Sequence, residues 1–265
     1  MKLSQLTAPM VRHYLDGWLK DLSRAMAVRV LRSFKAIITD AQQRGLVAQN
    51  VALAVTALKQ ARGKPKVVPP SKQSLRAILE AAEASDDVMG KAIVELAIFT
   101  GLRASELRGL AWSSLSLDDN TVTVEQRADA KGTIGSPKSE AGYRVIPLPG
   151  RTVKTLKAWK LACQPHKLDL VFPSQKGKPL SHRVLMKSHV EPILTGAGVE
   201  QAGLHPFRHA AASLWIEQGL NPKRIQHLMG HSSIAMTLDV YGHLLPDAER
   251  DGLGDAIERA LFRQS

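Results

Sequence analysis

The chain has 265 residues, 44% of them apolar, which is enough for one large or two modest packed domains. Its 36 Lys and Arg outweigh 24 Asp and Glu, and the formal charge of +12 favours a polyanionic partner. One cysteine, Cys163, excludes an internal disulfide and speaks against a cysteine-built zinc site, and the absence of GxxxxGK[ST] and HExxH motifs removes nucleotide-driven and zinc-protease chemistry.

The charge is unevenly spread, because residues 1–70 carry twelve Lys and Arg against three Asp and Glu. Helices are expected there. Val11, Tyr14, Leu15, Trp18, Leu19 and Leu22 recur at helical spacing behind Thr7 and Pro9. A second run puts Ala27, Val30, Leu31, Phe34, Ile37, Ile38 and Ala41 on one face and stops at Gly45. Its other face carries Arg24, Arg29, Arg32 and Lys35, the candidate contacts for a polyanion. Asn50 is read as opening a short third helix to about Gln60, and the Pro- and Gly-rich stretch 61–71 as a linker.

Helical patterns follow at 74–84 and 91–100, where Gly101 breaks the run just before Arg103. Alternation at 121–124 and 144–148, around a glycine-containing turn at 131–135, predicts a small antiparallel sheet. Further helices are expected at about 151–162, 181–196, 206–218 and 222–229, the last capped by Asn221 before Pro222. The fold class is therefore mainly α with a small antiparallel β-sheet, in two domains, 1–66 and 67–265. No signal-peptide pattern and no apolar run of about 18 residues occurs, so a soluble, cytoplasmic protein without a membrane partner is expected.

Four segments concentrate the chemistry: TGLRASEL at 100–107, HPFRH at 205–209, LMGHSS at 228–233 and TLDVYGHL at 237–244. Guanidinium forks match phosphate oxygens, imidazoles move protons near neutral pH, and a tyrosine hydroxyl can be a covalent nucleophile. Each signal alone has a plainer explanation. Arg103 can pair with Glu106 on a helix surface, His205 can be a cap, and Tyr241 can be a half-buried aromatic. His209 can stand in for His205. Tyr14 reads as helix core and Tyr143 as hairpin surface, which leaves Tyr241 as the nucleophile candidate. Gly230 is read as a stop that exposes His231, and His227 as an ordinary helix residue.

Taken together, these segments resemble the tyrosine recombinase (phage integrase) family. Its motifs run in this order: Arg in TGLRxSEL, a hairpin lysine, HxxR, a second histidine after a glycine, and a tyrosine in a YxH context. The likeness covers about residues 71–246, and 1–66 resemble the family's helical core-type DNA-binding module. The resemblance implies catalytic roles for Arg103, Lys138, His205, Arg208, His231 and Tyr241, with Glu106 supporting the first arginine. Lys138 precedes Gly142-Tyr143-Arg144-Val145-Ile146-Pro147-Leu148, similar to the family's PKTxxGxRxIPL stretch, and Lys131 is the alternative hairpin lysine.

The implied chemistry is site-specific cutting and rejoining of double-stranded DNA through a 3′-phosphotyrosine, with no metal and no cofactor. His205 is the expected base for Tyr241. Implied partners are recombination sites, a homo-tetramer on paired sites, and DNA-bending accessory proteins. A helical tail with Leu253, Ile257, Ala260 and Leu261 would dock on a neighbouring copy, and the two domains would clamp the duplex. Phage-type members usually carry an N-terminal arm-binding domain, which is expected to be lacking here, since little precedes Leu3. The competing readings are a type IB-like topoisomerase and a non-catalytic DNA-binding relative.

Overall fold

In the computed structural model the chain divides into two compact units, Met1–Lys66 and Val67–Ser265. The structure describes residues 2–57, 69–199, 202–244 and 262. The expected linker and helical tail lie outside the described residues, apart from 69–71 and 262.

The first unit is built on two helices, α1 (Ala8–Asp21) and α2 (Arg24–Gln43), which pack on each other. Pro9 sits in the first turn of α1, where its missing N–H costs nothing, and the Ser23 hydroxyl caps α2 by accepting from the Met26 N–H. Val11, Leu15, Ala27, Leu31 and Ile38 form the core, closed by Ala52 and Val55. Three residues assigned to that core from spacing lie outside it, since Tyr14 is 46%, Leu22 39% and Ile37 62% exposed. Tyr14 stacks on Trp18 at the surface instead. Asn50 opens no helix within the described residues: residues 51–54 form a turn. Its amide donates to the Lys35 carbonyl and the Thr39 hydroxyl, and its oxygen accepts from the Ala52 N–H. That buried asparagine therefore ties the turn back onto α2.

The second unit is organised around α4 (Val88–Thr100), which follows α3 (Lys72–Glu83). Helix α4 is apolar on nearly every side, so it is buried, with Ala92, Ile93, Val94, Leu96, Ala97 and Ile98 all within the core. Asp87 caps it by accepting from the Gly90 N–H, which starts it three residues earlier than periodicity suggests. Gly101, in the left-handed conformation at φ +59°, ends it. A short helix α5 (Ala104–Gly109) leads into β1 (Leu115–Ser116) and β2 (Thr121–Val124). The β3–β4 hairpin (Arg127–Ala128, Ile134–Gly135) and β5 (Arg144–Pro147) follow. Strands β1, β2 and β5 form one antiparallel sheet with Val122 opposite Ile146, and β3 and β4 form a separate pair.

Helix α6 (Gly150–Ala162) packs on α4, and one further stretch comprises α7 (His182–Val184), a π-helical segment over Leu185–Val190 and α8 (Glu191–Gly196). Helix α9 (Leu204–Glu217) packs along α4 and starts two residues before the position expected at Pro206. Helix α10 (Pro222–Met229) has the expected Asn221 cap, whose side chain accepts from the Arg224 N–H. It ends at Gly230, left-handed at φ +60°. Helix α11 (Ile234–Tyr241) follows and packs on α10; spacing alone did not announce it. Among the described residues, no helix is long and apolar enough to cross a membrane.

The β3–β4 hairpin approaches α5 closely at Gly109. A Cβ on Gly109 would lie 2.6 Å from the backbone of Arg127 and Ala128, whereas one on Gly150 would meet nothing within 4 Å. Gly109→Ala should therefore lower the unfolding free energy by about 1–3 kcal/mol, while Gly150→Ala should leave it unchanged or raise it slightly. Urea denaturation of the two variants measures this, and equal midpoints would show that the hairpin backbone does not rest on Gly109.

Candidate active site

Two helix ends build the site. The last turn of a helix leaves backbone carbonyls without partners and carries a partial negative charge, which suits cations. At the end of α4, the Gly101 carbonyl accepts from Arg208 Nη1 at 2.6 Å. At the end of α10, the Leu228 carbonyl accepts from Arg144 Nε at 2.8 Å and the Gly230 carbonyl from Arg103 Nη2 at 3.0 Å. The Met229 carbonyl accepts from Arg208 Nη2. Three guanidiniums from distant parts of the chain thus share two glycine-terminated helix ends.

Their countercharge is one carboxylate. Glu106, 4% exposed, accepts from Arg103 Nη1 at 2.7 Å and from Arg144 Nη1 and Nη2 at 3.2 and 2.8 Å. Its Oε2 also accepts from the Arg103 backbone N–H at 2.9 Å. Burial alone would raise its pKa, but the Arg144 hydrogen bonds and the charges of Arg144 and Arg103 prevail and hold it at about 2. Arg208 is buried on α9 and pairs with no carboxylate among the described residues. Burial, and then the Arg103 charge, push its pKa down to about 9, so it remains a cation at neutral pH. Among the described residues, one carboxylate against three guanidiniums leaves the site with an unmet need for negative charge.

Arg144 was not singled out by sequence reasoning, yet it is fully withdrawn from solvent and holds Glu106 in place. Its signal was the alternation of β5, where Arg144 and Ile146 face inward and Val145 and Pro147 outward. A charged residue at an inward strand position requires a buried partner.

The imidazoles fall differently from expectation. His231 is not exposed by Gly230: it is 8% exposed, and its Nδ1 lies 3.0 Å from the Thr237 hydroxyl. Burial and the charges of Arg208 and Arg103 lower its pKa to about 4, so it is neutral. Tyr241 is buried against Ala212, Ile216, Ile225 and Met229. Its hydroxyl meets His209 Nδ1 at 2.8 Å, not His205. His209 Nε2 in turn lies 3.1 Å from His205 Nε2. Burial raises the Tyr241 pKa to about 12 against the opposing charge of Arg208, and burial lowers that of His209.

A cavity of about 830 Å³ brings Arg103, Lys138, His205 and Arg208 together. Its wall includes Lys138, in the bend after β4, and not the alternative Lys131. Glu106, His231 and Tyr241 lie outside its lining; Glu106 and Tyr241 connect to it through the contacts above. Among the candidate polyanion contacts, Arg29 and Arg32 are exposed, Arg24 is half-buried, and Lys35 donates to the Leu53 carbonyl at 3.0 Å.

Removing one partner of a buried ion pair strands the other charge, so Arg144→Ala should cost about 3–5 kcal/mol of stability. Chemical denaturation reads this, and a loss below about 1 kcal/mol would contradict the arrangement. Stability should also fall as pH drops below about 6.5, the unfolded histidine value, because unfolded His231 takes up a proton that the folded residue refuses until about pH 4. His209 acts in the same direction. Glu106 adds a second loss as pH falls from its unfolded value near 4.5 toward about 2. His231→Gln should flatten the pH dependence between 6.5 and 4.5; an unchanged slope would remove His231 as its source.

Residues 71–247 match the phage integrase family. The tyrosine recombinase XerC of Haemophilus influenzae (strain ATCC 51907 / DSM 11121 / KW20 / Rd) is 30% identical over 91% of this chain and 78% of its own length. The tyrosine recombinase XerC-like protein of Caldanaerobacter subterraneus subsp. tengcongensis is 25% identical over 93% of this chain and 69% of its own length. In fold, the chain is similar to the Tn1549 transposon integrase solved in complex with a circular intermediate DNA, with a TM-score of 0.76 at 22% identity, covering 97% of this chain and 86% of that one. The chain belongs to the phage integrase family, the site-specific tyrosine recombinases.

Proposed function

We propose that this chain cuts and rejoins double-stranded DNA at specific sites through a 3′-phosphotyrosine on Tyr241. The observation that carries this reading is the cluster of three guanidiniums around one carboxylate, with Arg103 and Arg208 lining a cavity beside the histidine pair that leads to Tyr241. Family membership supports the same chemistry.

Arg103 and Arg208 grip the non-bridging oxygens of the scissile phosphate and neutralise charge that grows on them in the transition state. Each is already fixed by backbone carbonyls, so little reorganisation accompanies the reaction. Arg208 spends two of its five N–H groups on carbonyls, which leaves others from which to grip the phosphate. Neutral His231 contributes a further hydrogen bond once the site is engaged.

Tyr241 with a pKa of about 12 is a poor nucleophile as the hydroxyl, so attack requires that its proton leave. His209 is the group in contact. With the hydroxyl donating to His209 Nδ1, His209 Nε2–H donates to His205 Nε2, and a proton passes along the pair toward the cavity. The Tyr241 oxygen bonds to phosphorus, the bond from phosphorus to the 5′ oxygen breaks, and Lys138 protonates the departing oxygen. The 5′ hydroxyl of another strand reverses these steps, and the phosphotyrosine bond conserves the energy for resealing.

Residues 1–66 supply a second DNA-contacting surface, with Arg24, Arg29 and Arg32 as phosphate contacts. Lys35 is engaged with Leu53, so it is the weakest of that set. Exchanging both strands of two sites makes four cuts, and each chain offers one nucleophile, so the reading includes four protomers on paired sites.

A suicide substrate, nicked so that the released fragment diffuses away, traps the covalent adduct. Native protein should accumulate an adduct that maps to the Tyr241 peptide, and Tyr241→Phe should form none. His209→Ala should slow adduct formation by at least about a hundredfold. An adduct on another residue, or none from folded native protein bound to its site, would overturn the reading.

A further inference from the structure

The cavity holds more positive charge than one phosphodiester requires. Besides Arg103, Lys138 and Arg208, its wall includes Arg108 from α5 and Arg127 from β3. Arg108 is 5% exposed; its Nε donates to the Leu180 carbonyl, and it forms no ion pair among the described residues. Arg127 Nε is enclosed and has no hydrogen-bond partner. The carboxylate on this wall, Asp129, closes the hairpin turn, where Oδ1 accepts from the Lys131 and Thr133 N–H groups at 2.8 Å each, and its charge acts on both Arg108 and Arg127 without an ion pair to either. Two guanidiniums thus face a cavity whose scissile-phosphate clamp is made by other residues. One carboxylate shared between two guanidiniums leaves net positive charge on a partly enclosed wall, and an anion delivered by a ligand relieves that cost.

We propose that Arg127, backed by Arg108, forms a second phosphate subsite that holds a backbone phosphate flanking the scissile one on the cleaved strand. This rests on the strand-cleavage reading. The subsite fixes the strand's register relative to Tyr241, because two gripped phosphates set the position and direction of the backbone where one sets only a point. Arg127 is a positioning residue here, and Arg108 stiffens the wall by anchoring to the Leu180 carbonyl. The short approach of β3 to Gly109 keeps the Arg127 backbone at a fixed distance from α5, on which Arg108 lies.

The test uses full-length protein and DNA sites carrying one neutral methylphosphonate, placed in turn at each phosphate flanking the scissile one. In native protein, one flanking position should weaken binding and slow adduct formation about tenfold, the size of a lost charge-assisted hydrogen bond. Arg127→Ala should show about the same deficit on ordinary DNA, and the methylphosphonate at that position should then add less than about twofold. Arg127→Lys should recover part of the deficit by restoring charge. The slope of log affinity against log salt should fall by about one unit in Arg127→Ala. If the methylphosphonate penalties of Arg127→Ala match those of native protein at every flanking position, the subsite does not exist. Binding is read without cleavage, so a missing adduct in native protein strikes the cleavage reading, whereas parallel methylphosphonate profiles strike the subsite alone.

Discussion

The site depends on an imbalance: three buried or half-buried guanidiniums converge where the described residues supply one carboxylate. Glu106 satisfies Arg103 and Arg144. Arg208 receives only carbonyl oxygens, whose partial charges stabilise a cation without cancelling it. A protein selected for stability alone gains little from such an arrangement, since buried charge is expensive to desolvate. It becomes favourable when an anion completes it, and a phosphodiester has the geometry that two guanidinium forks recognise.

The fold serves this imbalance through helix ends more than through helix faces. Gly101 and Gly230 both adopt left-handed backbone, and each stops a helix so that its last carbonyls face the arginines. Helix α4 is held by apolar packing on several sides, so its end is a rigid platform. Helix α11 is anchored through Tyr241 to the α9–α10 cluster, and that packing places the hydroxyl against His209. The contact that raises the Tyr241 pKa is the same burial that positions it, so reactivity depends on proton removal and on the phosphate approaching the ring.

Much of this was legible in the sequence. Gly101, Gly230 and Asn221 announced helix ends because their backbone or capping chemistry is local, and the arginine and tyrosine motifs announced themselves by residue type. What was not legible depended on tertiary placement. In HPFRH, His205 and His209 stand four apart on one helix face, and only the position of α11 decides which one touches Tyr241. Helix α11 escaped notice because Ile234, Met236, Leu238 and Val240 alternate in sequence and remain 40–45% exposed, so no helical stripe appears. Asn50 looked like a cap, since its side chain does accept a nearby N–H, but its amide closes onto α2 instead of starting a helix. Arg144 was hidden in a strand pattern whose polar residue points inward.

The central claim is that Arg208 acts by supplying charge to the scissile phosphate. Single-turnover cleavage by native protein and Arg208→Ala should be compared on a substrate with an ordinary scissile phosphate and on one with a neutral methylphosphonate there. Arg208→Ala should lose at least about a hundredfold on the charged substrate and far less on the neutral one. An equal loss on both substrates would mean that Arg208 holds the fold or the DNA in some other way, and the charge imbalance would not be the basis of the site.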